Sequence, residues 1–393
     1  MVLDMDKRLA KRTLSISSFH VMELLRRAKQ LEAQGRDVIH MEIGESDFPA
    51  PQAIVNAGVK QLLTGEIKYT SAAGLPQLRE KIADFYLQRY GVTVATRRIF
   101  ITPGASGAFL LAFGVSLNPE EQLLMTDPCY PCNSNFVTLF DAKTKTIAVD
   151  ASTNYQLTAE HIQQHWTQAT KGVLIASPSN PTGTLIDTEA LKQAIQTVHQ
   201  LGGCFYSDEI YHGLVYDQHA NSALEFSDDV FIINSFSKYF AMTGWRIGWL
   251  IVPESFIEAT EKLAQNIFIA TSTDAQYAAL AAFDDDTLTE LERRRAEFAL
   301  RRDFLYENLV RLGFEISIKP EGAFYIYANC SKFTDDSYQF ALDLLEAEGV
   351  AVTPGKDFGS NDAHHALRFA YTTSIDRMAI AMQRLERFIS KNT

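Results

Sequence analysis

The chain has 393 residues, 46% of them hydrophobic and 21% charged, and its 36 Lys and Arg against 48 Asp and Glu give a formal charge of −12. Such a composition excludes disorder of the bulk, the length exceeds one ordinary domain, and the net negative charge provides no field for gathering nucleic acid or an anionic membrane. Four cysteines in a chain this long do not make a disulfide framework. The amino terminus, MVLDMDKRLAKRTLSISSFH, lacks the apolar stretch of a secretory signal, and the most apolar run, residues 107–117, is shorter than the roughly 20 residues needed to cross a bilayer. The expectation is a soluble, cytoplasmic protein with neither a nucleic-acid nor a membrane partner.

Along the chain there is no repeat, low-complexity tract or linker that would separate independent modules. Residues 98–102 (RIFIT) read as a strand followed by a helix from about Gly107. Residues 173–176 (VLIA) form the next clear strand, then a helix runs from Asp187 until Gly202 and Gly203 stop it. Residues 204–206, 231–233 and 249–252 supply three more strands. Short β-branched and aromatic runs alternating with amphipathic helices predict an α/β fold with a mostly parallel sheet wrapped by helices.

After about residue 285 the texture changes to a long charged helix over 287–309, a strand at 324–327, further helix and a strand at 366–370, predicting a smaller α+β domain. Arg293, Arg294, Arg295, Arg301 and Arg302 interleave with Glu290, Glu292 and Glu297 at helical spacing. They read as a solvated helix face rather than a nucleic-acid patch.

Ligands of open α/β sheets bind beyond the carboxyl ends of the strands, so the polar residues just after each apolar run are the informative ones. TPGASG follows Ile101 and resembles an anion cradle, where small residues at a helix start let backbone N–H groups approach a phosphate and Ser106 adds a hydroxyl. SPSNPTG follows Ala176, SDEIY follows Tyr206, and NSFSKYFAMTGWRIG follows Ile233. Lys238 lies in the last of these, in a charge-poor stretch. A desolvated Lys shifts to its neutral, nucleophilic form, whereas an ordinary Lys snorkels to water. Asp208 alone would be a turn cap. Their combination with Asn180, Tyr211, Ser235 and Arg246 at successive strand ends singles them out.

The segments DVIHMEIGESDFPAP, IKYTSAAGLPQLRE, DPCYP, SNPTG, SDEIYHGLVY, SFSKYFAMTGWRIG and ALRFAY, in family order from about residue 38 to 372, resemble the class I, aspartate aminotransferase-like enzymes. These are pyridoxal 5'-phosphate (PLP) enzymes of fold type I. The resemblance implies that Lys238 bonds covalently to PLP and, once freed, moves a proton. It implies that Asp208 pairs with the pyridine nitrogen, that Tyr211 and Asn180 hydrogen-bond the phenolic oxygen, and that Tyr130 stacks on the ring. Ala105, Ser106, Ser235, Ser237 and Arg246 would hold the phosphate. Arg368, helped by Gly44 and Asn180, would take the substrate α-carboxylate. Tyr69 would reach across a homodimer interface to the partner's phosphate, so that two active sites are shared. The expected organisation is an N-terminal segment 1–45 packed with the small domain, a large PLP-binding domain 46–285 and a small domain 286–393.

The expected activity is amino-group exchange between an L-amino acid and a 2-oxo acid by a ping-pong cycle through pyridoxamine phosphate. A β-lyase or an aminocyclopropane-carboxylate synthase-like enzyme shares the same residues and is the alternative. A PLP-binding regulator is disfavoured, because the match begins too early to leave room for an amino-terminal DNA-binding module. No metal is expected: Cys129 and Cys132 have CxxC spacing without a second pair, and His364 and His365, read as strand neighbours, would point to opposite faces. Aspartate-using relatives tend to carry a Lys where this chain has Ser106, so aspartate is expected to be a poor donor.

Overall fold

The structure, a computed structural model, describes residues 9–16 and 20–392; residues 1–8 and 17–19 of the expected N-terminal segment, and residue 393, lie outside the described residues. In chain order the strands among them are β1 (Ile39–His40), β2 (Ile99–Thr102), β3 (Gln122–Asp127), β4 (Lys143–Ala148), β5 (Thr170–Ala176), β6 (Cys204–Asp208), β7 (Phe231–Ser235), β8 (Gly248–Ile251), β9 (Tyr325–Asn329), β10 (Val350–Ala351), β11 (Thr353–Pro354) and β12 (Ala366–Ala370). Seven of them make one sheet in the order β2-β8-β7-β6-β5-β3-β4. All run parallel except β8, which is antiparallel to both β2 and β7.

The central strands read as continuous apolar runs because both faces of this sheet are covered. Leu174, Tyr206, Ile233 and Leu250 join one buried cluster with Phe109 and Phe113, while Val173, Ile175, Phe205, Ile232 and Trp249 join the other. The helix Thr188–Gln200 starts where Asp187 accepts from the N–H groups of Glu189 and Ala190, and it packs on β6. The expected helix from about Gly107 begins three residues earlier, at Gly104. A run of small residues looks like loop in sequence; here it is helix because strand and helix must meet within a single Pro103 turn.

The second sheet, β11-β12-β9, is antiparallel and puts Arg368 opposite both Tyr327 and Thr353. β1 pairs in parallel with β10, and the Ala370 N–H donates to the Met41 carbonyl at 2.7 Å, which holds the segment before Gly44 against the second sheet.

Two expectations are overturned. Those five arginines, which lie on the long helix Asp285–Leu312, are not a solvated face: Arg294, Arg301 and Arg302 are buried, Arg295 is half-buried and only Arg293 of the five is exposed. Arg294 donates to the Pro49 carbonyl at 2.6 Å and Arg301 to Asp47 at 2.8 Å with its guanidinium 4.8 Å from the Phe48 ring centre. Glu-Arg spacing at i, i+4 is the same for a surface stripe and for a clamp, and here the partners lie some 250 residues away in sequence. His364 and His365 do not lie on a strand but in a single 3-10 turn, Ala363–His365, which brings their rings to 3.9 Å. With Asp362 they form a surface cluster.

Candidate active site

A cavity of about 400 Å³ opens at the carboxyl ends of β5, β6 and β7, beside the start of the helix Gly104–Gly114 that follows β2. The reversed direction of β8 matters here. Its first residue enters the sheet where its neighbours leave it, so Arg246, just before β8, arrives at the same end as Ser235 and Thr102.

At one end of the cavity, the first N–H groups of the helix Gly104–Gly114 have no intrahelical acceptors and carry the positive end of its dipole. Gly104 has φ +68°, and a Cβ there would lie 2.8 Å from Arg246 Nη2. A Cβ on Gly248 would lie 2.8 Å from the carbonyl carbon of Gly104 and 3.0 Å from Ala105 N. Glycine at both positions is what lets the guanidinium and the strand close on the helix start. The Ser237 N–H donates to Ser235 Oγ at 3.1 Å, the two hydroxyls lie 3.0 Å apart, and Arg246 Nη1 donates to the Thr243 carbonyl at 3.0 Å. Backbone N–H groups, hydroxyls and a guanidinium together suit a phosphate dianion.

In the middle, Asp208 ends β6 as a buried carboxyl that accepts the Ile210 N–H at 3.2 Å. Burial pushes its pKa up to about 7, against the pull of Lys238. Lys238 follows β7 and donates from Nζ to the Gly44 carbonyl at 2.6 Å. Burial, then the positive charge of Arg368, drive its pKa down to about 8. One acid and one base are thus displaced toward neutrality from opposite sides, a pattern typical of working sites. The Tyr211 and Tyr325 hydroxyls hydrogen-bond at 2.9 Å, and burial raises both phenols, as it does that of Tyr130.

At the other end stands Arg368 of β12, 3% exposed. It donates to Asn180 Oδ1 at 2.9 Å and to Thr353 Oγ1 at 3.2 Å, and its guanidinium lies 4.1 Å from the Tyr325 ring centre. Its Nε has no hydrogen-bond partner among the described residues. Leaving a buried guanidinium donor unpaired is costly, so this end is chemically suited to a carboxylate. A Cβ on Gly44 would lie 1.8 Å from Tyr325 Oη, so only glycine lets that segment pass close enough for its carbonyl to meet Lys238.

Of the thirteen residues singled out from the sequence, twelve border this one cavity: Gly44, Ala105, Ser106, Tyr130, Asn180, Asp208, Tyr211, Ser235, Ser237, Lys238, Arg246 and Arg368. Tyr69 does not; the residue is 83% exposed. Sequence reasoning missed Tyr325, which lies under Arg368 and against Tyr211, because EGAFYIY reads only as a strand. It also missed Glu42, whose carbonyl accepts from Arg368, and Val21, Met22 and Leu25 of the helix His20–Ala33. Amphipathic spacing in that helix carries no hint of a cavity. Burial pushes the Cys129 thiol up to about 12, and the cluster Asp362, His364 and His365 does not border the cavity.

The sequence matches the family model for aminotransferases of class I and II over residues 36–385. A (5-formylfuran-3-yl)methyl phosphate transaminase of Methanocaldococcus jannaschii is 38% identical over 386 residues, covering 98% of this chain and 100% of that protein. Among solved structures, an aminotransferase from Mycobacterium tuberculosis superposes with a TM-score of 0.95 at 33% identity, covering 98% of this chain and 100% of its own. The aspartate aminotransferase from Thermotoga maritima does so with a TM-score of 0.91 at 33% identity, over 97% and 100%. Among the described residues no helix is long and apolar enough to cross a membrane.

Proposed function

Because the chain belongs to the class I and II aminotransferases, enzymes that depend on pyridoxal 5'-phosphate, we propose that it exchanges the amino group of an L-amino acid with a 2-oxo acid in a ping-pong cycle. The observation that carries this reading is the meeting of Lys238, Asp208, the Arg246 cradle and Arg368 in one cavity. The cofactor fits the residues present: a dianion suits the helix start with Ser235, Ser237 and Arg246, and a ring cation suits the buried, singly hydrogen-bonded carboxyl of Asp208. When bound, PLP supplies an electron sink for the carbanion at the substrate's Cα.

The rest is the work of this chain. Lys238, with its amine held by Gly44 and shifted toward neutrality, is the residue to anchor the cofactor and then to carry the proton at Nζ. Asp208, once it faces a ring cation, is ionised and keeps that nitrogen protonated. Tyr211, oriented by Tyr325, and Asn180, oriented by Arg368, offer hydrogen bonds to an oxygen anion between them. Tyr130 covers the ring, and Arg368 clamps the α-carboxylate that both substrates share. Part of the same reading is a homodimer in which Tyr69 serves the partner's phosphate, its high exposure in the single chain supporting that place. So is the division into 1–45, 46–285 and 286–393, supported by the separate sheets and the β1–β10 pairing.

The test is isotopic. With a ¹⁵N-labelled amino donor and an unlabelled 2-oxo acid, the label should appear in the new amino acid one for one, with parallel lines in double-reciprocal plots. Release of labelled ammonia with no labelled amino acid would instead indicate the β-lyase chemistry that the same residues can support.

A further inference from the structure

The amino-exchange reading leaves the donor's side chain without a site, and the cavity has one wall that no other role uses. The helix His20–Ala33 buries Leu24, Ala28 and Leu31 in the core, yet Val21, Met22 and Leu25, on an adjacent stripe, border the cavity. Met22 is 55% exposed, so core packing does not account for it. Phe109 and Phe136 border the same cavity and stack on each other at 5.5 Å.

The placement of this helix relative to Arg368 is fixed by two contacts. It packs on β11, whose Thr353 is the ladder partner of Arg368. Its first turn is capped from far along the chain: the buried carboxylate of Asp357 accepts the His20 N–H at 2.8 Å and the Val21 N–H at 2.7 Å. The apolar stripe is therefore attached to the strand beside the carboxylate clamp.

The charges bordering the cavity complete the picture. Its cations among the described residues are Lys238, Arg246 and Arg368, each already engaged. Arg26, one turn beyond Met22, is exposed and does not border the cavity. Ser106 offers a hydroxyl and no charge. A second carboxylate on the substrate would leave water for a wall of methyl, thioether and phenyl groups, in a cavity that the acidic Glu42 and Glu45 also border.

We infer that Val21, Met22 and Leu25, which border the cavity together with Phe109 and Phe136, form the donor side-chain subsite and select amino acids with aliphatic or aromatic side chains, and that Asp357 is the positioning residue that sets this wall. The inference rests on the amino-exchange reading, and the experiment separates the two.

Binding of amine-free analogues to the PLP-loaded enzyme is measured by calorimetry, 4-methylpentanoate against succinate, alongside kcat/KM for leucine, phenylalanine and aspartate. The inference expects 4-methylpentanoate to bind at least tenfold more tightly than succinate, and leucine or phenylalanine to exceed aspartate at least tenfold in kcat/KM. Met22→Arg should shift both ratios at least tenfold toward the acidic ligand. Asp357→Ala should raise KM for leucine severalfold with little change in kcat, and Asp357→Asn, which retains one acceptor oxygen, should restore part of it. Tighter succinate binding, aspartate as the best donor, or ratios unmoved by Met22→Arg would overturn the inference while leaving amino exchange intact. Loss of that aspartate preference in Arg26→Ala would identify Arg26 as the cation responsible. Absence of amino exchange with every donor would overturn both readings.

Discussion

Arg368 donates to Asn180 at 2.9 Å, joining a strand of the smaller sheet to a loop at the carboxyl end of the larger one. The guanidinium is thereby held in one orientation, with Nε still unpartnered, before any carboxylate arrives. Charge-assisted hydrogen bonds are worth roughly 1.5–3 kcal/mol each, or about 10- to 100-fold in affinity. Arg368→Lys, which keeps the charge and loses the fork, should raise KM for every donor and acceptor by about that factor, because all share the α-carboxylate. Steady-state kinetics with two unrelated donors checks this; an effect on one alone would place Arg368 at the side chain instead.

Lys238 should be unusually reactive in the cofactor-free protein. Its folded pKa of about 8 lies below the usual lysine range, so its proton is lost as pH rises through 8 rather than above 10. Acylation of this residue, followed by peptide mass spectrometry, should rise through a midpoint near pH 8. Lys238→Ala should abolish amino exchange while the cofactor-free protein melts no lower, since the variant no longer buries an amine.

Asp208 carries the opposite sign. Its folded pKa of about 7 is above the ordinary carboxylate value, so the protonated carboxyl is favoured in the folded state and that contribution is lost as pH rises through 7. Asp208→Asn should therefore raise the melting temperature of the cofactor-free protein at pH 8 by about 1–3 °C, with the advantage fading toward pH 4. Single-turnover amino transfer in the loaded variant should nevertheless fall by orders of magnitude, since a neutral amide cannot hold a proton on the ring nitrogen. An unchanged rate would assign that task to another group.

Tyr69 tests the shared site. Tyr69→Phe should release PLP faster on dialysis, and sedimentation should give twice the 44.0 kDa chain mass. An inactivating Tyr69 variant refolded with Lys238→Ala should regain part of the wild-type activity, because one of the two hybrid sites then has both intact residues. No regain at all would indicate sites complete within each chain.

Five of the seven strands of the main sheet, its parallel majority and the polar residues that follow those apolar runs were legible in the sequence, whereas β3 and β4 were not singled out. Periodicity and burial are local properties, and functional residues of such sheets follow strand ends. Twelve of the thirteen candidate residues border a single cavity, among them Gly44, Tyr130 and Arg368, which the family resemblance rather than a strand end singled out. The identities of Lys238, Asp208 and Arg246 were also carried by motif likeness, which no spacing rule supplies. What only the tertiary structure decided depends on pairings between distant segments. β8 runs against its neighbours and brings Arg246 to the right end of the sheet. The arginines of the long helix turn inward to hold Asp47–Pro49 because their partners lie elsewhere in the chain. Tyr325 and the apolar stripe of the first helix enter the cavity through Gly44 and Asp357, contacts spanning 281 and 336 residues respectively, which no local pattern encodes.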